Sequence, residues 1–218
     1  MKKSMVLLSG GLDSTVNFCK ALREAEIVLA LTFDYGQRAV EKEIQSAVTI
    51  SHFYHVRHEV VTLEWLKRIT NSALVNRKQS VPHISQESLD DRIITEKTAK
   101  TVWVPNRNGV FLNIAAAYGE VLGAHEIVVG FNAEEAATFP DNSTEFIEAV
   151  NESFKYSTLR RQKVVCYTDK LNKSDIVQLG QELRAPFHLM WSCYEGDDTP
   201  CKQCESCQRF QRAMQKKL

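Results

Sequence analysis

The six residues Ser9, Gly10, Gly11, Leu12, Asp13 and Ser14 leave this chain little freedom. They follow an apolar run, Met5 to Leu8, that predicts a strand, and they precede Thr15 to Glu24, where Val16, Cys19, Ala21 and Leu22 recur at helical spacing. The unit is strand, glycine-rich loop, helix. Paired glycines turn successive backbone N–H groups inward as an anion nest, and the positive N-terminal end of the following helix adds to it, so the geometry suits a phosphate. Two common phosphate loops are excluded: no Gly-Lys-Ser/Thr ending follows, and the three spaced glycines of a dinucleotide fingerprint are missing. Asp13 beside phosphates is repulsive unless it binds a cation or caps the helix. Mg²⁺ is therefore expected nearby, with the Ser9 and Ser14 hydroxyls donating to phosphate oxygens. The alternative is a tight turn in which Asp13 or Ser14 merely caps the helix.

Downstream, strand and helix patterns alternate. Ile27 to Phe33 predicts a second strand, followed by Asp34, Tyr35, Gly36, Gln37 and Arg38. Ligands of open parallel sheets bind at the carboxyl ends of strands, so this turn is positioned to meet a nucleotide or its partner substrate, with backbone there able to read adenine. A helix over 41–51 and a strand over 55–61 complete a repeat. His52, His55 and His58 straddle that helix-to-strand transition, so their rings point in different directions and are not read as a metal cluster; His83 and His125 receive no role. The polar stretch 71–100 shows short amphipathic fragments and reads as a lid, a dimer contact or two plain short helices. Val104, Pro105, Asn106, Arg107 and Asn108 lead into a buried helix over 109–122; an arginine held in a Pro-containing turn suits bidentate pairing with a carboxylate or phosphate, the alternative being a surface helix cap.

A fourth strand, 126–130, ends in Gly130, Phe131, Asn132, Ala133, Glu134 and Glu135. Phe139, Asp141 and Glu145 then bring an aromatic ring and two carboxylates close to a helix start, suited to stacking on and hydrogen bonding with a guanine-like edge; Asp141 as a simple cap is the alternative. Val164 to Tyr167 predicts a fifth strand. Lys173 begins the next helix, an unfavourable place for a cation unless something negative is near, and reads as a phosphate contact. Cys19 and Cys166 read as buried and structural. The predicted class is a doubly wound α/β fold with a mainly parallel five-stranded sheet.

Cys193, Cys201, Cys204 and Cys207 form the second strong signal, with the last three each separated by two residues. Four thiolates at this spacing read as a closed structural zinc site, with a redox pair or iron–sulfur cluster as alternatives and His188 as a substitute for Cys193. The ion is expected to tie a terminal segment, with a helix from about Glu205, onto the sheet edge and to do no chemistry. The division expected is a nucleotide-binding domain over 1–185 and a zinc-binding segment over 186–218, packed as one unit. Lys plus Arg equal Asp plus Glu at 27 each, which removes any bulk electrostatic reason for nucleic-acid or membrane binding. No apolar run approaches a membrane span, and the start lacks a signal-peptide core, so a cytoplasmic protein without disulfides is expected.

The loop Ser9 to Ser14 resembles that of ATP pyrophosphatases, the PP-loop superfamily. Together with Phe33 to Arg38, Val104 to Asn108, Phe139 to Asp141 and the cysteine quartet, in that order, the chain resembles the 7-cyano-7-deazaguanine synthase family of queuosine biosynthesis. After the fourth strand the family commonly shows Asp-Phe-Ser-Gly-Tyr-Pro-Asp-Cys-Arg, whereas this chain runs from Glu135 through Ala136, Ala137, Thr138, Phe139, Pro140 and Asp141 to Asn142 and Ser143. The resemblance implies an adenine nucleotide alpha-hydrolase-like fold, a homodimer, the cofactors ATP, Mg²⁺ and Zn²⁺, and conversion of a deazapurine carboxylic acid and ammonia to a nitrile through adenylated acid and adenylated amide. Leu8, Ser9, Gly10, Gly11, Leu12, Asp13, Ser14, Thr15, Thr32, Phe33, Gly130 and Lys173 then bind the nucleotide. Tyr35, Gln37, Arg38, Arg107, Asn108, Phe139, Asp141 and Glu145 meet the substrate, and Asp13, Ser14, Lys173 and Arg107 carry the catalysis. No glutaminase domain fits within 218 residues, so ammonia is free or delivered by a partner. The rival readings are another adenylating enzyme of the superfamily, acting on a different carboxylate or a tRNA base, and a noncatalytic zinc-stabilised nucleotide sensor.

Overall fold

The computed structural model describes residues 2–215. Five strands, β1 (Lys3–Leu7), β2 (Glu26–Asp34), β3 (His58–Thr62), β4 (Glu126–Val128) and β5 (Lys163–Val165), form one parallel sheet in the order β3-β2-β1-β4-β5. Nine α-helices accompany them among the described residues: α1 (Leu12–Ala21), α2 (Val40–Phe53), α3 (Glu64–Ile69), α4 (Arg92–Val102), α5 (Arg107–Leu122), α6 (Ala133–Ala136), α7 (Thr144–Ser157), α8 (Lys173–Glu182) and α9 (Glu205–Gln215).

Alternation along the strands decides what packs where. Met5, Leu29, Leu31 and Ile127 face one side and meet Leu112, Ala115 and Ala116 of α5. Their neighbours Val6, Ala30 and Val128 face the other and meet Phe18 of α1 with Ala47 and Ile50 of α2. Side chains of a strand point alternately to opposite faces, so strands apolar at every position must be covered twice. The predicted doubly wound parallel sheet is the observed one. Strand order reverses across β1 and β4, and the carboxyl ends of these strands open the crevice where such folds bind ligands.

Several expected boundaries shift. The third strand begins at His58 rather than at 55, because His55 takes a left-handed conformation (φ 55°). The buried helix begins at Arg107 rather than 109, directly after the left-handed Asn106 (φ 50°). The helix beyond Pro140 begins at Thr144 and is capped by Ser143, whose Oγ accepts from the Phe146 N–H (3.1 Å); Asp141 lies in a 3₁₀ turn before it and does not cap. The stretch 71–100 contributes a 3₁₀ turn over Glu87–Asp90 and the start of α4. Part of it docks on the cysteine segment, with His83 bridging Cys204 and the Ile84 N–H donating to the Gln203 carbonyl (3.0 Å).

Among the described residues, the carboxyl-terminal helix rests on a neighbouring helix rather than on an edge strand. Helix α9 lies against α8, with Ala213 and Phe210 in an apolar cluster with Leu12, Val16, Ile176 and Val177. Cys166 is half-buried rather than fully enclosed, while Cys19 is buried.

Candidate active site

At the loop, Gly10 adopts φ +78°, a region open to glycine, and a Cβ there would lie 2.6 Å from Ser46 Cβ. Gly11 holds the cap position of α1 without a side-chain cap, so the reading of Asp13 or Ser14 as a cap fails. The serines brace the loop instead. Ser14 Oγ donates to the Gly11 carbonyl (3.2 Å), accepts from the Ser9 N–H (3.2 Å) and lies 3.0 Å from Ser9 Oγ. Gly130, just past β4, sits so close that its Cβ would stand 2.6 Å from Ser14 Cα, which lets the strand end touch the first turn of α1.

A cavity of about 250 Å³ opens at the carboxyl ends of the strands. Leu8, Ser9, Gly11, Leu12, Asp13 and Ser14 line it from the loop, and Thr32, Phe33 and Gly130 from the strand ends. Lys173, Arg107, Asn108, Tyr35, Gln37 and Phe139 complete the predicted residues on its wall. Gly10 and Thr15 support the loop without lining the cavity. Three substrate-side assignments also fall outside it. Arg38 instead ties chain segments together, donating to the carbonyls of Ala73 (2.7 Å), Asn76 (3.3 Å) and Gln79 and pairing with Glu195 (3.2 Å). Asp141 borders a small adjoining niche with Arg107, Trp103 and Phe139. Glu145 is exposed on α7.

The negative groups beside Lys173 belong to the protein. Its buried ammonium pairs with Asp13 Oδ2 and with Glu135 Oε1 (2.8 Å), and the Lys173 backbone N–H donates to Glu134 Oε1 (2.8 Å). Arg209 of α9 pairs with the other oxygen of Glu134 (2.6 Å). Burial raises the Asp13 carboxyl to about 6 even though Lys173 opposes the rise. Glu135 is equally deprived of water, yet the Lys173 ammonium outweighs that cost and holds it below the usual carboxylate range. Asp13 Oδ1 is buried and has no hydrogen-bond partner among the described residues. A buried carboxylate oxygen left without a donor, on a glycine-rich loop that lines the cavity, is the kind of ligand a hard divalent cation takes, so the residues fit Mg²⁺.

Arg107 is the first residue of α5 and stands on the cavity wall. Its Nη1 donates to the Tyr35 hydroxyl (3.2 Å) and its guanidinium lies 5.8 Å from the Tyr35 ring centre. Burial disfavours its charge, but the Tyr35 oxygen and Asp141 more than offset that and fix it as a cation. Phe139 stacks on Trp103 with ring centres 6.1 Å apart.

The four cysteines converge as expected. Cys193, Cys201, Cys204 and Cys207 bring their Sγ atoms within 4.8 Å of one another, and Cys201 and Cys207 are 4.0 Å apart. A tetrahedral ion at Zn–S bonds of about 2.3 Å sets sulfur pairs about 3.8 Å apart. Backbone N–H groups of Glu195 and Cys201 donate to Cys193 Sγ (3.3 Å each), and that of Cys204 to Cys201 Sγ (3.3 Å), which suits thiolates. The quartet can hold a metal ion with all four positions filled. His188 is not part of it, and His52, His55 and His58 form no metal group among the described residues; His58 Nε2 lies 2.7 Å from Thr32 Oγ1.

The cavity also uses residues that the sequence did not single out. Glu43 of α2, Phe111 of α5, and Trp191 and Tyr194 next to Cys193 all line it. The Trp191 backbone N–H donates to the Gly10 carbonyl (2.9 Å), so the cysteine segment rests on the glycine-rich loop. Only the proximity of Trp191 and Tyr194 to a cysteine offered a hint.

Comparison with known proteins agrees with this geometry. The family described as "Queuosine biosynthesis protein QueC" matches residues 3–218. A protein of Bdellovibrio bacteriovorus named 7-cyano-7-deazaguanine synthase is 54% identical over 213 residues, 97% of this chain and 92% of the relative. One of the same name from Pelotomaculum thermopropionicum is 51% identical over 97% of this chain and 96% of its own length. Among solved structures, a 4-thiouridine synthetase–RNA complex with bound ATP shares the fold at a TM-score of 0.54 and 17% identity, over 98% of this chain and 50% of that one.

Proposed function

The chain belongs to the queuosine biosynthesis protein QueC family and is a carbon–nitrogen ligase, and from that premise we propose that it converts 7-carboxy-7-deazaguanine and ammonia to 7-cyano-7-deazaguanine with two molecules of ATP. A carboxylate resists ammonia because oxide is a poor leaving group. Attack of that carboxylate on the α phosphate expels pyrophosphate and gives an acyl adenylate, from which ammonia displaces AMP to leave the amide. Adenylation of the amide oxygen, followed by loss of AMP and protons, gives the nitrile. Each oxygen of the acid thus leaves on one AMP, and a single site serves both rounds.

The roles follow from the chemistry of the wall. The nest at Ser9 to Ser14 binds the phosphates, Asp13 Oδ1 would hold Mg²⁺, and the Lys173 ammonium beside it offsets charge on the phosphates. Mg²⁺, when bound, supplies charge neutralisation on the ATP oxygens. Arg107 orients the substrate carboxylate, while Phe139 and Asp141 recognise the deazapurine. The cysteine quartet holds Zn²⁺ in a structural role, with no nucleic acid as direct partner and a homodimer as the working assembly.

One observation carries this reading: a phosphate loop, a bare buried carboxylate oxygen and a fixed arginine share one cavity. Acid-dependent exchange of labelled pyrophosphate into ATP tests it. Arg107→Ala is expected to raise the apparent KM for the acid roughly 10- to 100-fold, the worth of a charge-assisted pair, with the KM for ATP little changed. An unchanged KM for the acid contradicts the role of Arg107.

A further inference from the structure

Three acidic side chains line the cavity: Asp13, Glu43 and Glu135. Asp13 and Glu135 are both engaged by the Lys173 ammonium. Glu43 is different. It projects from the first turn of α2, and among the described residues the only hydrogen bond to its carboxylate comes from a neutral group, Gln37 Nε2 to Oε2 (2.9 Å). Gln37 is itself pinned, donating to the Phe33 carbonyl (2.9 Å) and accepting from the Tyr35 N–H (3.0 Å). Glu43 therefore has one oxygen positioned by a rigid amide and one, Oε1, without a protein donor.

The charged and titratable groups near Glu43 are Arg107 and Tyr35. Arg107 is the group assigned to the substrate carboxylate, so Glu43 shares a wall with the carbon that ammonia must attack. Formation of the amide cannot finish without loss of a proton from nitrogen. Resting on the proposed reaction, we infer that Glu43 is the proton acceptor of the amide-forming step. The ammonia nitrogen forms its bond to the acyl carbon, the bond from that carbon to the AMP oxygen breaks with its electron pair remaining on AMP, and one N–H proton passes to Glu43 Oε1. Burial raises the proton affinity of Glu43, Gln37 and Arg107 moderating the rise, and a carboxylate so raised is a better base than an exposed one.

Glu43→Gln and Glu43→Asp test the assignment in the metal-loaded protein. Acid-dependent pyrophosphate exchange, measured without ammonia, stays within about twofold of wild type in Glu43→Gln, because adenylation needs no base at this position. Amide formation at fixed ammonia falls on the order of 10²-fold or more, the usual worth of a positioned general base, and loses its acid limb. Glu43→Asp retains the limb and recovers part of the rate. Wild-type amide formation in Glu43→Gln overturns the inference, as does an exchange rate that falls in parallel with it. Wild-type protein that makes no amide from this acid overturns the underlying reaction as well.

Discussion

Asp13 is the residue at which fold and chemistry conflict. The loop geometry buries it among Glu134, Glu135 and Lys173, and burial raises its carboxyl from 3.8 to about 6. An acid raised in this way binds its proton more tightly folded than unfolded, so its contribution to stability falls as the pH rises from about 4 to about 6. Asp13→Asn removes that titration. The difference in unfolding free energy between wild type and Asp13→Asn, measured by urea denaturation without Mg²⁺ or ATP, is expected to decline by about 1.4 kcal/mol per pH unit inside that window and to be flat above pH 7. A pH-independent difference contradicts the account. The proposed role of its free oxygen toward a cation gives a reason for keeping such a residue. Lys173 shows the same logic: its partners Asp13 and Glu135 lie 160 and 38 residues away in sequence, which is why a lone lysine at a helix start suggested a phosphate but not the carboxylates already holding it.

Between elements, the cysteine segment matters most. Trp191 and Tyr194 reach the cavity from beside Cys193, the Trp191 N–H rests on Gly10, and Arg209 of α9 reaches Glu134 behind Lys173. Removing the ion, by chelation or by Cys207→Ser, is expected to lower Tm by several degrees and to weaken ATP binding at least tenfold, because the segment loses the crosslink that seats it. Calorimetry and ATP titration on stripped and reloaded protein check this; unchanged ATP affinity after stripping would sever the proposed link. The loop and the quartet were legible in the sequence because each is written in adjacent residues with fixed spacing. Glu43, Trp191 and Tyr194 were not, since their place on the cavity depends on α2 and the cysteine segment meeting over strand ends far away in the chain. Glu145 looked suitable beside Phe139, but the 3₁₀ turn over Pro140–Asn142 and the Ser143 cap start α7 in a phase that leaves it in solvent.

At the scale of the whole molecule, the strands are apolar on both faces and alternate with helices along the chain, so the doubly wound sheet with its two covering layers and its strand-end crevice was readable before any contact was known. Among the described residues no helix is long and apolar enough to cross a membrane. The variant segment from Glu135 to Ser143 still sets Phe139 on the cavity and Asp141 on its adjoining niche, which supports the same class of substrate despite the departure from the family pattern. The most direct measurement is mass spectrometry of the purified protein with ATP, Mg²⁺, ammonia and 7-carboxy-7-deazaguanine, following AMP and the base products together. The account predicts 7-cyano-7-deazaguanine with two AMP for each nitrile; AMP absent with this acid, or amide accumulating with no nitrile, contradicts it.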